Sequence, residues 1–233
     1  MRVSIIIPAY EEGDSLRRTI TKIYNSCKAF EFEVTVVIDT ELDTSANIVR
    51  SLEVKHSTLR LLVQDFSGPL NAIRYGIKNT LGDFIIILTA DDTDDVSDIY
   101  RMVQCFDVGA QYVTASRYIS GGSYSGGPKL KRLFSKAASS CLELRHGSVA
   151  SDPTNGFKGF SRQLYDSTQI KGDVGFTYGL QLLGFGISNE LPLAVIPTKW
   201  QDRKEGASSF KMFRWMPAYL YWFVRVLSIK RVK

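Results

Sequence analysis

The chain has 233 residues, 44% hydrophobic and 23% charged, which suffices for one buried core and excludes a disordered, collagen-like or low-complexity protein. Three cysteines without a C-x-x-C pair argue against a disulfide framework and for a reducing compartment, and two histidines, His56 and His146, leave no material for a Cys/His zinc site. The net charge of +5 is uneven: Lys199 to Lys233 holds nine Lys/Arg against two acids and Asp83 to Asp107 holds seven Asp and one Arg, so a carboxylate-borne cation site and a surface for phosphates or anionic lipid are expected.

Met1 and Arg2 run straight into Val3–Ile7 and Pro8, so no secretory leader is expected. Short β-rich runs at Val3–Ile7, Val34–Ile38, Leu59–Val63, Phe84–Leu88 and Tyr112–Ala115 predict strands. Helices are expected between them: Ser15–Ala29 after the Gly13-Asp14 start signal, Asp43–Leu52 with an acidic N-terminus, and Pro69–Thr80 with Pro early and Gly82 beyond its end. Such alternation belongs to βαβ units, giving an α/β fold with an open, mostly parallel sheet flanked by helices and a site at the strands' C-terminal ends. Asp94, Asp95 and Asp98 read as the acidic start of a helix running towards Phe106.

After residue 117 the rhythm changes. The Gly-rich loop 121–127 precedes Leu130, Leu133, Phe134, Ala137, Ala138 and Cys141 at helical spacing, with Lys129, Lys131, Arg132 and Lys136 opposite. Two readings stand: a core-packing helix with a solvated basic face, or a helix at a membrane interface. Trp215 to Leu227 is shorter than the roughly 20 apolar residues a spanning helix needs and contains Arg225, so it is expected to lie on a membrane and not to cross it. Phe210, Phe213, Trp215, Met216, Tyr219, Leu220, Trp222 and Phe223 would give its apolar surface, flanked by Lys211, Arg214, Arg225, Lys230, Arg231 and Lys233. The expected organisation is an α/β domain over 1–210 with a basic, aromatic, amphipathic extension over 211–233.

Glu11-Glu12, Asp39 and Asp91-Asp92 follow the first, second and fourth strands, and in a parallel sheet those ends converge on one edge. Asp91 is the expected ligand of a hard divalent cation, Mg²⁺ or Mn²⁺, which takes oxygen donors from one or two carboxylates plus substrate phosphates. Neither G-x-G-x-x-G nor G-x-x-x-x-G-K-[ST] occurs, so any nucleotide is held another way.

Several segments in order resemble glycosyltransferase family 2, of GT-A (Rossmann-like) fold, in its branch of polyprenyl-phosphate glycosyltransferases. They are Ile5-Ile6-Ile7-Pro8-Ala9-Tyr10-Glu11-Glu12, Val37-Ile38-Asp39, the stretch 68–76 with Gly82-Asp83, and Ala90-Asp91-Asp92-Thr93-Asp94-Asp95. Ser116-Arg117-Tyr118, the stretch 152–158 from Asp152 to Lys158, and the stretch 203–208 from Arg203 to Ser208 complete the series. The resemblance implies that Pro8, Tyr10, Glu12 and Asp39 hold a nucleoside, that Ala90 and Asp91 meet its metal-bridged diphosphate, and that Arg117 and Arg203 balance the leaving group's charge. It further implies a GDP- or UDP-hexose donor, a polyprenyl phosphate acceptor, inverting transfer, no nucleic-acid partner, and a peripheral position on the cytoplasmic face of the cell membrane. The chain departs from the family in three places: Thr89 stands where D-x-D has its first Asp, Asp39 is followed by Thr40-Glu41-Leu42-Asp43 and not by D-x-S, and Tyr178 and Gln181 stand where relatives often carry Glu. A sugar hydroxyl as acceptor, or a module that binds without turnover, are the rival readings. Lys211 and Arg132 are lesser candidates for the acceptor phosphate.

Overall fold

The computed structural model describes residues 1–172, 174–203 and 212–230. The elements, in order, are β1 (Arg2–Pro8), α1 (Gly13–Ser26), β2 (Glu31–Ile38), α2 (Thr44–Glu53), β3 (Leu59–Val63), α3 (Pro69–Lys78), β4 (Phe84–Ile87), α4 (Asp98–Asp107) and β5 (Tyr112–Ser116). There follow β6 (Ser123–Ser125), α5 (Lys129–His146), β7 (Lys158–Ser161), α6 (Arg162–Thr168), α7 (Tyr178–Ser188), β8 (Leu193–Pro197), β9 (Lys199–Gln201) and α8 (Met212–Leu227).

Seven strands form one sheet in the order β3-β2-β1-β4-β7-β5-β8, parallel except for β7. The expected α/β architecture is therefore present. β1 is central, with Ile5 beside Val34 and Ile86, and both its faces are covered, which is why it reads as a continuous apolar run. Ile5 and Ile7 face a core with Leu16, Ile20, Val49, Met102 and Phe106, whereas Ile6 faces one with Ile73, Ile77, Phe160 and Tyr178. The strand order reverses at β1: β2 and β3 lie on one side, β4 on the other, and this opens a crevice beyond the C-terminal ends of β1 and β4.

β7 was not among the expected strands. It is only Lys158-Gly-Phe-Ser, and it is made a strand by its antiparallel neighbours β4 and β5. Two expected boundaries shift inward, α1 ending at Ser26 and α3 at Lys78. α4 begins only at Asp98, so Asp94 lies outside it.

α5 departs from the core-packing reading of its apolar stripe. Its buried side is Ser135, Ser139 and Leu142, while Leu133 and Phe134 are 63% and 51% exposed and Leu130 is also outside. The apolar stripe thus faces outward. α8 packs on the second core: Val226 is buried, Tyr219, Trp222, Phe223 and Leu227 lie against it, and Tyr219 Oη accepts from Phe176 N at 3.0 Å. That corrects the expected membrane surface, because Tyr219, Trp222 and Phe223 turn inward and Met216, Leu220, Tyr221 and Val224 are the residues outside. Arg145 ties the two helices by donating to the carbonyls of Leu227 and Ile229. Phe210, Lys211, the 210/211 boundary, the 204–208 part of the last motif, Arg231, Lys233 and the Phe213 side chain lie outside the described residues.

Candidate active site

The crevice is built from strand-end loops that brace one another. Beyond β1, Ala9 N donates to Val37 O at 2.9 Å, and Glu11, held at a φ of +52°, donates its N–H to the Asp43 carboxylate at 3.0 and 3.1 Å. Asp43 also caps α2 by accepting from Ser45 N at 2.8 Å, so one carboxylate starts a helix and pins the neighbouring loop. Pro8 is half-buried and Tyr10 is exposed on this rim. Asp39 accepts from Gln64 Nε2 and from Gly68 N at 3.3 Å, which fixes it against the loop that opens α3.

At the end of β4, Ala90 is buried and Asp91 reaches into the crevice. Asp91 Oδ1 accepts from Thr93 Oγ1 at 2.7 Å, and Asp91 Oδ2 lies 2.8 Å from Arg203 Nη2. Arg203 Nη1 is 3.9 Å from Glu12 Oε2, so the guanidinium bridges the β1 and β4 loops and brings together three of the sequence-predicted residues. Burial raises the Glu12 carboxyl above its ordinary range, with Asp91 and Asp43 adding to the rise and Arg203 opposing it. Asp92 points elsewhere, to Arg18 and Lys22 on α1.

Asp94 is buried and accepts from Thr89 Oγ1 at 2.7 Å, in place of the expected helix-capping role. Burial pushes its carboxyl up to about 7, against the Thr89 hydrogen bond and the Arg117 charge. Its Oδ1 has no partner among the described residues.

Arg117 stands differently from the expected phosphate contact. Its Nε and Nη2 each meet an Asp152 oxygen at 2.7 Å, its backbone N donates to the same carboxylate at 2.9 Å, and only 7% of its side chain is exposed. The rings of Tyr118, Tyr124 and Trp200 lie 5.4, 5.0 and 5.8 Å from its guanidinium carbon. Burial would lower its pKa, but Asp152 outweighs burial and holds it above the ordinary value. Lys158 lies below, fully buried, donating to Thr114 Oγ1 at 2.8 Å and Asp152 O at 3.2 Å, and burial brings its ammonium down to about 7. Lys131 on α5 is half-buried and feels Arg117, Asp91 and Arg203, while Arg132 lies 5.4 Å from the Tyr124 ring.

Tyr178 and Gln181 are structural. Tyr178 Oη donates to Gly156 O at 2.6 Å, and Gln181 clamps the Lys171 backbone, its Oε1 accepting from Lys171 N at 2.8 Å and its Nε2 donating to Lys171 O at 3.0 Å. Sequence reasoning assigned no role to Asp152, Lys158 or Asp43; the first two lay inside a quoted motif, and an acidic residue at a helix start was the only signal for the third.

Among the described residues no three carboxylate, imidazole or thiol groups gather as a metal cage. The oxygen donors of Asp91, Thr89 and Thr93, with the orphaned Asp94 Oδ1 behind them, nonetheless suit a hard divalent cation that also takes substrate phosphates.

The glycosyl transferase family 2 model matches residues 4–168, and the chain belongs to that family. It is similar to dolichol-phosphate mannosyltransferase of Pyrococcus furiosus, 23% identical over 228 residues, covering 95% of this chain and 64% of the relative. Polyprenol monophosphomannose synthase of Mycolicibacterium smegmatis is 21% identical over 217 residues, covering 89% of this chain and 80% of the relative. The chain thus spans somewhat less than two thirds of the length of the first of these. In fold it is similar to glucosyl-3-phosphoglycerate synthase from Mycobacterium tuberculosis in complex with Mn²⁺, UDP and glucosyl-3-phosphoglycerate, with a TM-score of 0.70 at 16% identity, covering 98% of this chain and 80% of that one. The expected GT-A architecture is therefore met.

Proposed function

We propose that this family 2 glycosyltransferase moves a hexose from GDP- or UDP-hexose to a polyprenyl phosphate, with inversion, on the cytoplasmic face of a membrane. The single observation that carries the reading is the Glu12–Arg203–Asp91 bridge at the sheet's switch point, because it sets a carboxylate suited to a cation and a positive fork at one place. Pro8, Tyr10 and Asp39 line the nucleoside side; Ala90 and Asp91 line the diphosphate side. An acceptor phosphate oxygen attacks the anomeric carbon as the bond to the nucleoside diphosphate breaks. Such a nucleophile is already ionised and needs no base, which agrees with Tyr178 and Gln181 being committed to structural hydrogen bonds. Mg²⁺ or Mn²⁺, when bound, neutralises charge developing on the departing diphosphate. Arg203 leaves Asp91 for that diphosphate, Arg117 positions the loop behind it through Asp152, and Lys131 and Arg132 face the acceptor phosphate.

The names of the curated relatives support a polyprenyl phosphate acceptor, and the bound Mn²⁺ and UDP of the similar structure support a metal and a nucleotide-sugar donor. No helix among the described residues is long and apolar enough to cross a membrane, and the outward apolar stripes of α5 and α8 supply the peripheral contact. A screen of labelled nucleotide sugars with native membranes, followed by solvent extraction, tests the reading. Label in a mild-acid-labile lipid is the expected result; label in polymer would instead mean a hydroxyl acceptor, and no label in either would mean binding without turnover.

A further inference from the structure

The chain lacks the first carboxylate of D-x-D, yet the structure has a carboxylate attached to the residue that replaces it. Thr89 Oγ1 lies 2.7 Å from Asp94 Oδ2, Thr93 Oγ1 lies 2.7 Å from Asp91 Oδ1, and the two hydroxyl oxygens are 3.4 Å apart. Each hydroxyl has one proton. The two hydroxyls are also within hydrogen-bond reach of each other, with either able to donate, and their lone pairs are both free for a cation when Asp94 and Asp91 accept the two protons in hydrogen bonds. Adjacent ligands of an octahedral cation with bonds of about 2.1 Å are themselves about 3 Å apart, so the spacing suits a shared cation. Asp94 adds a second and independent sign: it is only 7% exposed and its Oδ1 has no partner among the described residues, although buried polar atoms are nearly always paired.

We infer that Asp94 replaces the missing D-x-D carboxylate by acting through Thr89: its carboxylate accepts the Thr89 hydroxyl's hydrogen bond, so that the hydroxyl lone pairs turn toward a cation at Asp91, and it supplies negative charge from behind. Thr89 is the ligand and Asp94 the positioning residue. The sequence pattern is then T-x-D-x-x-D, with the carboxylate moved five residues along the chain and one bond outward from the metal. This inference rests on the metal reading proposed above and says which residues of this chain complete it. An outer carboxylate of this kind changes metal affinity by about 10–100-fold when it is lost.

The test is Mn²⁺ binding, followed by electron paramagnetic resonance of free Mn²⁺ at pH 8, with and without GDP or UDP. Asp94→Asn keeps the volume and a polar contact to Thr89 while removing the charge, and it should weaken Mn²⁺ binding about tenfold or more. Thr89→Val should do the same, and combining the two should cost little beyond either alone, because they form one unit. The exchange variant Thr89→Asp/Asp94→Thr should restore affinity to within about threefold of wild type, an outcome that a purely structural role for Asp94 does not give. Thr89→Asp alone sets two carboxylates against each other and should not tighten binding. The inference is overturned if Asp94→Asn binds Mn²⁺ like wild type, or if Thr89→Asp alone tightens binding. If the wild-type protein binds no Mn²⁺ even with GDP or UDP present, the metal reading itself fails, and this inference with it.

Discussion

Two arginines that look alike in sequence have opposite surroundings. Arg117 has both fork positions on a fully buried Asp152 and three aromatic rings around it, whereas Arg203 bridges the less deeply buried Asp91 and Glu12 between two strand-end loops. Removing one member of a buried pair strands the other, so Arg117→Ala is expected to lose about 3–5 kcal/mol of stability, seen as a sharp drop in melting temperature. Arg203→Ala should melt like wild type but lose about one to two decades of turnover, the equivalent of a charge-assisted contact of about 1.5–3 kcal/mol. Arg203→Lys should rescue it poorly, since a point charge does not reproduce the fork. A variant of Arg117 with a normal melt and lost turnover would reverse the assignment. Asp91→Asn should abolish most transfer at an unchanged melting temperature, and full activity in chelator would remove the metal from the scheme. Lys158 yields a pH prediction. Burial lowers its value to about 7, while an unfolded chain holds that proton to about 10.4, so between these values the unfolded state carries more protons and stability rises with pH. Denaturation midpoints of wild type against Lys158→Met, from pH 7 to 9.5, should diverge in favour of wild type; a constant gap would contradict a neutralising lysine.

Among the elements, those with a strong period and clear punctuation were legible: β1 to β5 lie within three residues of their expected bounds, and Pro69 and Asp43 start helices where expected. β7 was not legible because a four-residue run with Lys and Gly has no strand signal of its own; its partners define it. Gly159 shows the dependence, since a Cβ there would sit 2.6 Å from Phe106 Cζ and 3.3 Å from Met102 Sδ, both side chains on α4. Gly159→Ala should therefore cost about 1–3 kcal/mol through overpacking, measurable by urea denaturation, and a neutral result would mean that α4 can slide on the sheet. The sidedness of α5 was likewise hidden, because periodicity reveals that a stripe exists and not which way it faces. Here the serines turn inward, where Ser135 meets Tyr118 Oη and Ser139 Oγ accepts from Asp152 N at 2.8 Å, so the helix is fixed by polar contacts to the Arg117 site. For the candidate site, the strand-end carboxylates could be found from the chain alone. The Thr89–Asp94 and Arg117–Asp152 pairs could not, since both are decided by burial.

At the scale of the whole molecule, the most telling surface is the apolar one left uncovered. Leu130, Leu133, Phe134 and Leu144 on α5 and Met216, Leu220, Tyr221 and Val224 on α8 are exposed, on two helices that touch where the His146 ring meets Val226 O at 2.9 Å. Exposed Lys129, Arg132, Lys136, Arg214, Arg225 and Lys230 accompany them. Such a surface, with basic neighbours, is where the proposed peripheral contact would fall, and the phase that would suit it is one with acidic phospholipid headgroups. Each basic residue at such a surface contributes about 1 kcal/mol that salt screens, so docking should weaken steeply as ionic strength rises. Deleting α8 would not test this cleanly, because Val226 and the inward aromatic residues belong to the core. Surface substitutions do: Leu133→Glu/Phe134→Glu on α5 and Leu220→Glu/Val224→Glu on α8 change only side chains that face outward. In flotation with vesicles containing phosphatidylglycerol, wild type should rise with the lipid at low salt and fall away at high salt. Either pair of substitutions should reduce the floated fraction severalfold while melting temperature and binding of soluble donor stay as in wild type. Variants that float like wild type would count against the docking role, and wild type that forms a dimer in size-exclusion chromatography, lost in the same variants, would assign the stripes to a second copy of the chain and not to lipid.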